Sequence, residues 1–403
     1  WFVGGFVLYS AIGLFTVTGR GKRTGLALRQ LANLPILVGL WFVLFVVIIF
    51  LPLPASTIVN NDTHTVLVNT HAHTEYSHDG LMSQKALWDW HDRNGFDAFF
   101  ITDHNNHDRT LDFVQAQRNG QFAPHPLVMC GEEFSGSNHL SLLGLQRKFS
   151  TRGYAVSTAI DSVRANGGAV IVNHWFDDEH MSLAHYRDLG VDGFEIENTA
   201  SDRLYDRHLC RNIREFCVRN NSVKNGGVDY HGYGNVCSLW NAFDLPGWHA
   251  LDQEEQERAI VEVLRSRDQN RLTVLKYRDR PYYSDDMLWT SPVRTGLYYF
   301  RSLQWFQVIY WSVWLLAGAM LFWYLRQKRS DRLWQMSFPL LGVSGALFLV
   351  VLGLVFHGRH QPVEGFTDLY AEYSRLLLSV GGAILVYSVA VAMVRFRAYY
   401  RVN

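Results

Sequence analysis

Three histidines and two carboxylates lie between His71 and Asp79, in the stretch "HAHTEYSHD", directly after the alternating apolar segment "THTVLV". Because His71 and His73 stand two positions apart, they point to the same side of an extended segment. Imidazole nitrogens and carboxylate oxygens are ligands that Zn, Mn and Fe accept in proteins. The pair is a weak signal by itself, since two histidines can also simply cap a strand. A metal site therefore requires matching ligands elsewhere in the chain.

Metal-binding side chains also end five further apolar segments, and the segment "HLSLLG" begins with one. This recurrence makes a set of satisfied core histidines a poor explanation. The total exceeds the roughly four ligands of one zinc ion, so we expect more than one metal. The additional candidates are Asp103, His104, Asn105, Glu132, Glu133, His139, His174, Glu195, Glu197, Asn198, Asp229 and His231.

The elements that must position these residues alternate between strand-like and helix-like stretches. Such alternation favours a parallel α/β layout that is closed or nearly closed into a barrel, with the chemistry on loops after the strand ends. The predicted strands are "TVLVN", "DAFFIT", "LVMCGEEF", "HLSLLGL", "GAVIVNH", "DGFEIEN" and "RLTVLKY". The predicted helices span 83–94, 107–118, 157–166, 203–219 and 252–267.

Long runs almost without charge flank this polar block on both sides. Each is close to the ~20 residues that a helix needs to cross a bilayer core. A buried globular helix would explain one such run, but two before and three after the block predict a multi-pass membrane protein. A signal peptide is a weaker alternative for the first run, because basic residues follow it rather than precede it. The runs are 2–18, 34–53, about 302–325, 336–356 and 376–394.

Basic residues cluster in three short segments beside these runs. Threading five helices so that all three segments are cytoplasmic leaves the polar block on the extracytoplasmic side. The expected domains are 1–57 with two transmembrane helices, 58–295 with the metal site, and 296–403 with three transmembrane helices and a basic tail. Trp1 rather than methionine opens the sequence, which is compatible with preceding residues. The basic residues are Arg20, Lys22, Arg23, Arg29, Arg326, Lys328, Arg329, Arg332, Arg395, Arg397 and Arg401.

The overall charge gives no reason to expect nucleic acid as a partner, since 37 basic residues balance 37 acidic ones. The four cysteines form no Cys-X-X-Cys pair. A disulfide between Cys210 and Cys217 is conceivable in an oxidising compartment, but buried thiols are the favoured interpretation.

Taken together and in order, several motifs resemble those of the PHP family, named for polymerase and histidinol phosphatase domains. The resemblance covers about 60–275. It implies a distorted (β/α)7 barrel that holds three metals and hydrolyses phosphoesters, here flanked by two transmembrane helices before it and three after it. The matching motifs are "HAH" 71–73, "TDHN" 102–105, "GEEFS" 131–135, "HLSLLG" 139–144, "NHW" 173–175, "GFEIEN" 193–198 and "VDYHG" 228–232.

The resemblance also implies a distribution of ligands. One metal would be held by His71, His73, Glu133 and Asp229, and a third would share Glu133 and take His139 and His174. The second would take His104 and His231 with either Asp79 or His78, because this chain reads "SHDG" where many relatives read "SDG". Asp79 is slightly favoured. Asp103 and Glu132 are expected to support ligating groups by hydrogen bonds, and Glu195 to have either such a role or a structural one.

The implied chemistry is hydrolysis by water that two or three divalent ions (Zn, Mn or Fe) activate. The catalytic candidates are Glu133, Asp229 and His231, with Asp229 or a histidine as acid for the leaving group. A metal-dependent amidohydrolase fits the "TDHN" and "GEE" motifs poorly. A metal-bound structural or binding subunit of a larger membrane complex, with membrane protein partners, is the alternative of another class.

The substrate is expected to be a phosphorylated small molecule or a lipid headgroup at the membrane surface. A barrel with apolar runs on both sides in sequence favours a substrate in or near the bilayer, but fold alone does not set specificity. Lys224, Arg203 and Arg152 could contact phosphate, although solvated surface charge is the commoner role of such residues.

Overall fold

The structure, a computed structural model, describes residues 19–50, 57–177, 181–200, 207–234, 237–277, 290, 293, 297, 301, 305–327, 331–362 and 365–402. The chain divides into two compact units. One consists of Phe50–Tyr282 together with His360–Leu369 and carries all the candidate ligands. The other consists of Trp1–Ile49, Tyr283–Arg359 and Tyr370–Asn403 and carries the long apolar helices.

The first unit is built on a nine-stranded sheet with the order β7-β6-β5-β4-β3-β2-β1-β8-β9. Its two ends approach each other, since a Cβ atom on Gly226 of β7 would lie 2.9 Å from Val274 in β9. The sheet is therefore a nearly closed barrel. Its strands are β1 Thr65–Asn69, β2 Ala98–Ile101, β3 Leu127–Ser135, β4 His139–Leu143, β5 Ala169–Val172, β6 Gly193–Asn198, β7 Val223–Gly227, β8 Leu239–Asp244 and β9 Leu272–Lys276.

The strand pairing is mixed, and this differs from the expected seven-fold parallel layout. β1, β2 and β3 pair in parallel, as do β5, β6 and β7. β4 is antiparallel to both of its neighbours, and β8 is antiparallel to β1 and β9. Strands β7 and β8, with the sequences "VKNGG" and "LWNAFD", are absent from the predicted set. Their Gly and Asn residues are poor strand formers, and pairing with neighbours compensates for that.

Successive side chains of the central strands enter two different apolar clusters. In β1, Leu67 belongs to one cluster, whereas Val66 and Val68 belong to the other. Strands buried on both faces favour continuous apolar runs, which explains sequences such as "AFFI" and "AVIV". Rigid burial on both faces fixes where each strand ends, and the candidate ligands follow those ends.

Helices alternate with the strands, and most of the predicted helices agree with them. One further helix, α5, is not among the predicted ones, and residues 203–206 of the predicted 203–219 helix lie outside the described chain. A short 3-10 helix, Trp248–Ala250, precedes the last of them. The helices of this unit are α2 Gln84–Arg93, α3 Asp108–Arg118, α4 Val156–Ala165, α5 Leu183–Leu189, α6 Arg207–Arg219 and α7 Gln253–Ser266.

The second unit contains the long apolar helices α1 Arg20–Phe50, α8 Trp305–Gln327, α9 Asp331–Arg359 and α10 Leu369–Val402. Within the described residues, three stretches are long and apolar enough to cross a membrane: Arg23–Phe50, Met336–Arg359 and Leu369–Arg397. They correspond to three of the five predicted runs. The run at 302–325 gives a shorter apolar stretch, Trp305–Leu321, and the run at 2–18 lies outside the described residues.

The basic residues that set the expected orientation lie in helix ends where they are described. Arg23 and Arg29 fall within α1, and Arg395 and Arg397 fall within α10. The four cysteines are buried as thiols, in agreement with the favoured interpretation.

Candidate metal centre

Four ligand atoms from three parts of the chain converge in a buried group at the carboxyl end of β1. His71 Nε2 and His73 Nε2 lie 3.1 Å apart. Glu133 Oε2 is 3.2 Å from both of these nitrogens. Asp229 Oδ1 is 3.1 Å from His71 Nε2 and 3.2 Å from His73 Nε2.

This spacing is compatible with four ligands around one cation. Donor atoms about 2.0–2.1 Å from a tetrahedral ion are separated by about 3.3 Å. Asp229 Oδ1 is buried and makes no hydrogen bond within the described part of the chain, although two imidazoles adjoin it. A buried carboxylate oxygen without a hydrogen bond is costly. A bound cation would satisfy it, so the residues present fit a metal ion.

The second oxygen of Glu133 faces two further histidines. Glu133 Oε1 lies 3.1 Å from His139 Nδ1 and 3.2 Å from His174 Nε2. Asn173 Nδ2 donates a hydrogen bond of 2.7 Å to the same oxygen. Glu133 therefore lies between two groups of imidazoles and is placed to bridge two cations.

Asp79 forms a third group with His104 and His231. Asp79 Oδ2 is 3.2 Å from His104 Nε2 and 3.0 Å from His231 Nε2. His104 Nε2 is also 3.3 Å from Glu133 Oε2, which connects this group to the first. The neighbouring His78 has a side chain that is 71% exposed, and its Nε2 lies 3.8 Å from Asp79 Oδ2. The structure thus brings Asp79 rather than His78 into the cluster, while ligation itself remains a prediction for both.

The topology of the barrel explains the convergence. Parallel strands present their carboxyl ends at one end of a barrel, which gathers the residues that follow β1, β2, β5 and β7. Because β4 is antiparallel, it begins where those strands end, so its first residue, His139, joins the cluster. Backbone bonds continue past β1, where Asp229 N donates to His71 O and His73 N donates to Tyr230 O.

Two of the clustered residues have unusual backbone conformations. His174 has φ +20° and Asp229 has φ +53°. Positive φ values are costly for residues other than glycine and concentrate at functional sites. At both positions the backbone departs from an extended strand path immediately after the strand ends.

Several buried residues hold the ligands in place. His71 Nδ1 donates to Glu195 Oε1 at 2.8 Å, which leaves Nε2 to face the cluster. The other oxygen of Glu195 accepts from His174 N and from Asn198 Nδ2, each at 2.9 Å. Glu195 therefore supports two candidate ligands at once, which is the arrangement typical of residues behind a metal shell.

The sequence analysis predicts no supporting role for Asn173 or Ser135. Asn173 bonds Glu133 as described above, and Ser135 Oγ lies 2.8 Å from His104 Nδ1. Each lies within a quoted motif, "NHW" or "GEEFS", so proximity in sequence to a ligand is the signal that could have found it.

Asp103 and Glu132 do not support ligating histidines, contrary to expectation. The Asp103 carboxylate accepts from the backbone and hydroxyl of Thr74, at 2.6 and 2.7 Å. Glu132 accepts hydrogen bonds from His107 and Thr151. Since neighbouring residues of a strand face opposite sides, Glu132 points away from the side that Glu133 faces.

The electrostatics of the cluster balance acids against imidazoles. Burial alone would lower the pKa of His73, but the carboxylates of Asp229 and Glu133 raise it to about 10. Burial and the same carboxylates act in opposite directions on His174, and its pKa rises to about 9. Despite burial, the nearby histidines His71 and His104 hold the pKa of Glu133 well below its usual range.

A polar cavity of about 970 Å³ opens beside His78 and His104. Its walls carry the amides of Asn105 and Asn106, several serine hydroxyls and Arg152. Of the three basic residues proposed to contact phosphate, Arg152 therefore lines a cavity next to a candidate ligand. Lys224 lies in β7, half-buried, and Arg203 falls outside the described residues.

Comparison with known proteins identifies one family and several distant structures. No curated protein matches the chain. A two-domain Bacteroides vulgatus protein that contains a predicted PHP-like metal-dependent phosphoesterase is 18% identical, with a TM-score of 0.43 over 60% of this chain and 74% of that one. PsfC from Pseudomonas syringae is 16% identical, with a TM-score of 0.41 over 58% of this chain and 99% of that one. An amidohydrolase from Chromobacterium violaceum, solved with sulfate and without metal, is 12% identical, with a TM-score of 0.34 over 52% of this chain and 97% of that one.

The family model of the PHP domain matches residues 69–150. This range begins at the last residue of β1 and contains the clustered residues His71, His73, Asp79, His104, Glu133 and His139. The remaining clustered residues, His174, Asp229 and His231, lie beyond the matched range and join the cluster through the fold. Residues 69–150 of the chain are therefore similar to the PHP domain, and this segment supplies most of the clustered side chains.

Proposed function

We propose that this protein is a membrane-anchored, metal-dependent phosphoesterase that hydrolyses a phosphate ester at the extracytoplasmic membrane surface. The observation that carries the proposal is the position of Glu133, whose two oxygens face different groups of imidazoles at 3.1–3.3 Å. A carboxylate shared between groups of ligands can bridge the ions of a multinuclear centre. Such centres are common in enzymes that cleave phosphate esters.

Two or three divalent ions, Zn, Mn or Fe, would be held by the three groups. Bound divalent cations supply Lewis-acid stabilisation of phosphate charge and activate water. The first group would be His71, His73, Glu133 and Asp229; the second Asp79, His104 and His231; and the third Glu133, His139 and His174.

The protein's own contribution is to position these side chains and to restrict water. His71, His73 and Glu133 are buried almost completely, so solvent reaches them little. His231 Nδ1 donates to its neighbour Asp229 O at 2.9 Å, which directs Nε2 towards Asp79. This bond orients His231 as a candidate ligand, and the acid for the leaving group would be Asp229 or a histidine.

A phosphoester screen of the purified full chain tests the proposal. The panel should contain 4-nitrophenyl phosphate, bis(4-nitrophenyl) phosphate and an amide such as N-acetyl-methionine, each with Mn²⁺ or Zn²⁺ added. We expect hydrolysis of at least one phosphoester and its loss in the double variant His71→Ala/His73→Ala. Hydrolysis of the amide alone would indicate an amidohydrolase. A metal-loaded protein inert on the whole panel would favour a structural or binding subunit.

The membrane part of the proposal rests on the apolar helices and their basic flanks. The stretches Arg23–Phe50, Met336–Arg359 and Leu369–Arg397 have the length and composition of membrane spans. Arg and Lys flanks favour the cytoplasmic side, which would leave the barrel on the opposite side. Since the native cysteines are buried, Asn119→Cys, on the exposed end of α3, offers a specific labelling site. Labelling of intact cells by an impermeant maleimide is expected; labelling only after permeabilisation would reverse the orientation.

The proposed substrate is a phosphorylated small molecule or a lipid headgroup. The polar cavity beside His104 offers hydrogen-bonding groups to the polar part of either substrate, the small molecule or the lipid headgroup. The two sources are distinguished by comparing kcat/KM for phospholipids and polyprenyl phosphates in mixed micelles with that for short soluble esters. Far higher values for the soluble esters would exclude the lipid version.

A further inference from the structure

The segment Gly365–Leu369 belongs to the compact unit that carries the metal centre, although in sequence it lies between the apolar helices α9 and α10. Its central residue, Thr367, is only 1% exposed. Such burial is unusual for a polar residue in a short connection, because connecting segments usually run over the surface. The contacts of Thr367 explain the burial.

Thr367 is bonded on two sides to the loop that carries Asp79. Its backbone N–H donates to Glu75 O at 2.9 Å, and its hydroxyl donates to His78 O at 2.8 Å. These bonds span most of the turn between Thr74 and Asp79. The turn is already tight, since a Cβ atom on Gly80 would lie 2.0 Å from Thr74 O. Within that turn, Ser77 Oγ donates to Asp79 Oδ1 at 2.7 Å.

Phe366 extends the same contact into the wall of the cavity. Its ring packs edge-on against Tyr76, with ring centroids 4.7 Å apart. Gly365 and Phe366 line the cavity together with Tyr76, His78 and His104. The lining of the cavity therefore combines this aromatic pair with amides and hydroxyls, so it offers both apolar and hydrogen-bonding groups.

We infer that Gly365–Leu369 is a working part of the metal centre: Thr367 positions the loop that presents Asp79, and Phe366 forms the wall that packs against the alcohol part of the phosphate ester. The inference rests on the proposed function for the role of Phe366, whereas the role of Thr367 concerns metal binding alone. The ligand class is a phosphate ester whose alcohol part has both hydroxyl groups and an apolar face. An amphipathic group of this kind matches both kinds of group in the lining of the cavity.

The first test measures metal binding by Thr367 variants of the full chain. Thr367→Val keeps the shape of the side chain but removes the hydroxyl that bonds His78 O. Thr367→Ser keeps that hydroxyl. We expect Thr367→Val to weaken the binding of Mn²⁺ by about 10-fold or more, as loss of supporting bonds typically does, and Thr367→Ser to restore it. Equal affinity in the wild type and both variants would overturn the positioning role.

The second test measures KM and kcat for Phe366 variants. With glycosyl phosphate and 4-nitrophenyl phosphate as probes, Phe366→Ala should raise KM by about 10-fold with little change in kcat, since it removes binding contacts and no ligand. Phe366→Leu should have a smaller effect. Phe122→Ala, a half-buried phenylalanine that does not line the cavity, is the control for general destabilisation. An unchanged KM in Phe366→Ala, or an equal change of KM in Phe122→Ala, would contradict the proposed contact between Phe366 and the substrate.

The two tests separate failure of the inference from failure of the proposed function. If the wild type binds Mn²⁺ but hydrolyses none of the phosphoesters, the proposed function is wrong. The proposed role of Phe366 in substrate binding then fails as well. The Thr367 result would still decide the positioning role by metal affinity.

Discussion

Replacing Glu133 by glutamine should damage the metal centre more than any other change of equal size. Glutamine has nearly the same shape but no charge, and it presents an NH2 group in place of one oxygen. In the structure, Glu133 Oε2 is 3.2 Å from the nitrogens of His71 and His73, and Oε1 is 3.1 Å from that of His139. In either orientation of the amide, the NH2 group of glutamine therefore replaces a carboxylate oxygen that would bind a cation.

The size of the effect follows from the lost charge. Two unit charges about 4 Å apart interact by about 4 kcal/mol at an effective dielectric constant of about 20. Losing that interaction weakens binding by about 10³-fold. Because Glu133 faces two groups, we expect the affinity for at least two ions to fall on this scale, and kcat to fall by at least about 10²-fold with them.

Glu132→Gln is the matched control, since it changes the adjacent residue of the same strand in the same way. Glu132 bonds His107 and Thr151 on the opposite face of β3. Replacing the Glu132 carboxylate by an amide should lower the free energy of unfolding by about 1–3 kcal/mol, while the metal content of the protein stays unchanged. The assay is elemental analysis of dialysed protein combined with hydrolysis of bis(4-nitrophenyl) phosphate. Equal metal loss in both variants, or full metal content in Glu133→Gln, would refute the reasoning.

Three other predictions concern separate parts of the barrel. Gly227→Ala should reduce metal content, because its Cβ would lie 2.0 Å from Glu195 Oε1 and displace the carboxylate that orients His71; normal metal content by elemental analysis would contradict this. Removal of metal by a chelator should lower the Tm. Adding metal at about 1,000 times its Kd should restore about 4 kcal/mol to the free energy of unfolding. A Tm that does not respond to the chelator would contradict a metal site formed in the folded protein. Burial lowers the pKa of His91 to about 3. Below pH about 6.5 the unfolded chain therefore binds a proton at His91 that the folded chain does not bind. The free energy of unfolding should consequently fall by about 2 kcal/mol between pH 7 and pH 5. His91→Gln should remove this part of the pH dependence in urea unfolding and the exposed His185→Gln should not; parallel pH profiles for His91→Gln and the wild type would argue against it.

The recurrence of ligands after strands could be predicted because strand ends meet at one end of a barrel. Once the sheet closes into a barrel, the segments that follow β1 and β7 meet, and residues as distant as His71 and Asp229 adjoin each other. The strand direction could not be predicted for β4, because the sequence "HLSLL" is compatible with either pairing. β7 and β8 escaped prediction because their pairing, rather than their composition, makes them strands.

Sequence alone favours Asp79 over His78 only slightly. Both follow Ser77 in one turn, and only the turn's geometry decides which side chain faces His104 and His231. The segment around Thr367 was equally inaccessible, since it lies 289 positions from His78 in the chain. No local pattern records a contact of that length. Glu132 was assigned by proximity to Glu133, whereas the alternation of side chains along a strand directs it to the other face.

The most direct test of a multinuclear hydrolytic centre is a titration of chelator-treated protein with Mn²⁺, followed by the initial rate of hydrolysis of bis(4-nitrophenyl) phosphate and 4-nitrophenyl phosphate. Because Glu133 lies between groups of ligands, activity should be absent without metal, stay low after the first equivalent and reach its plateau only at two or three equivalents per chain. A plateau at one equivalent, or no hydrolysis of either ester with all sites filled, would contradict the proposed centre.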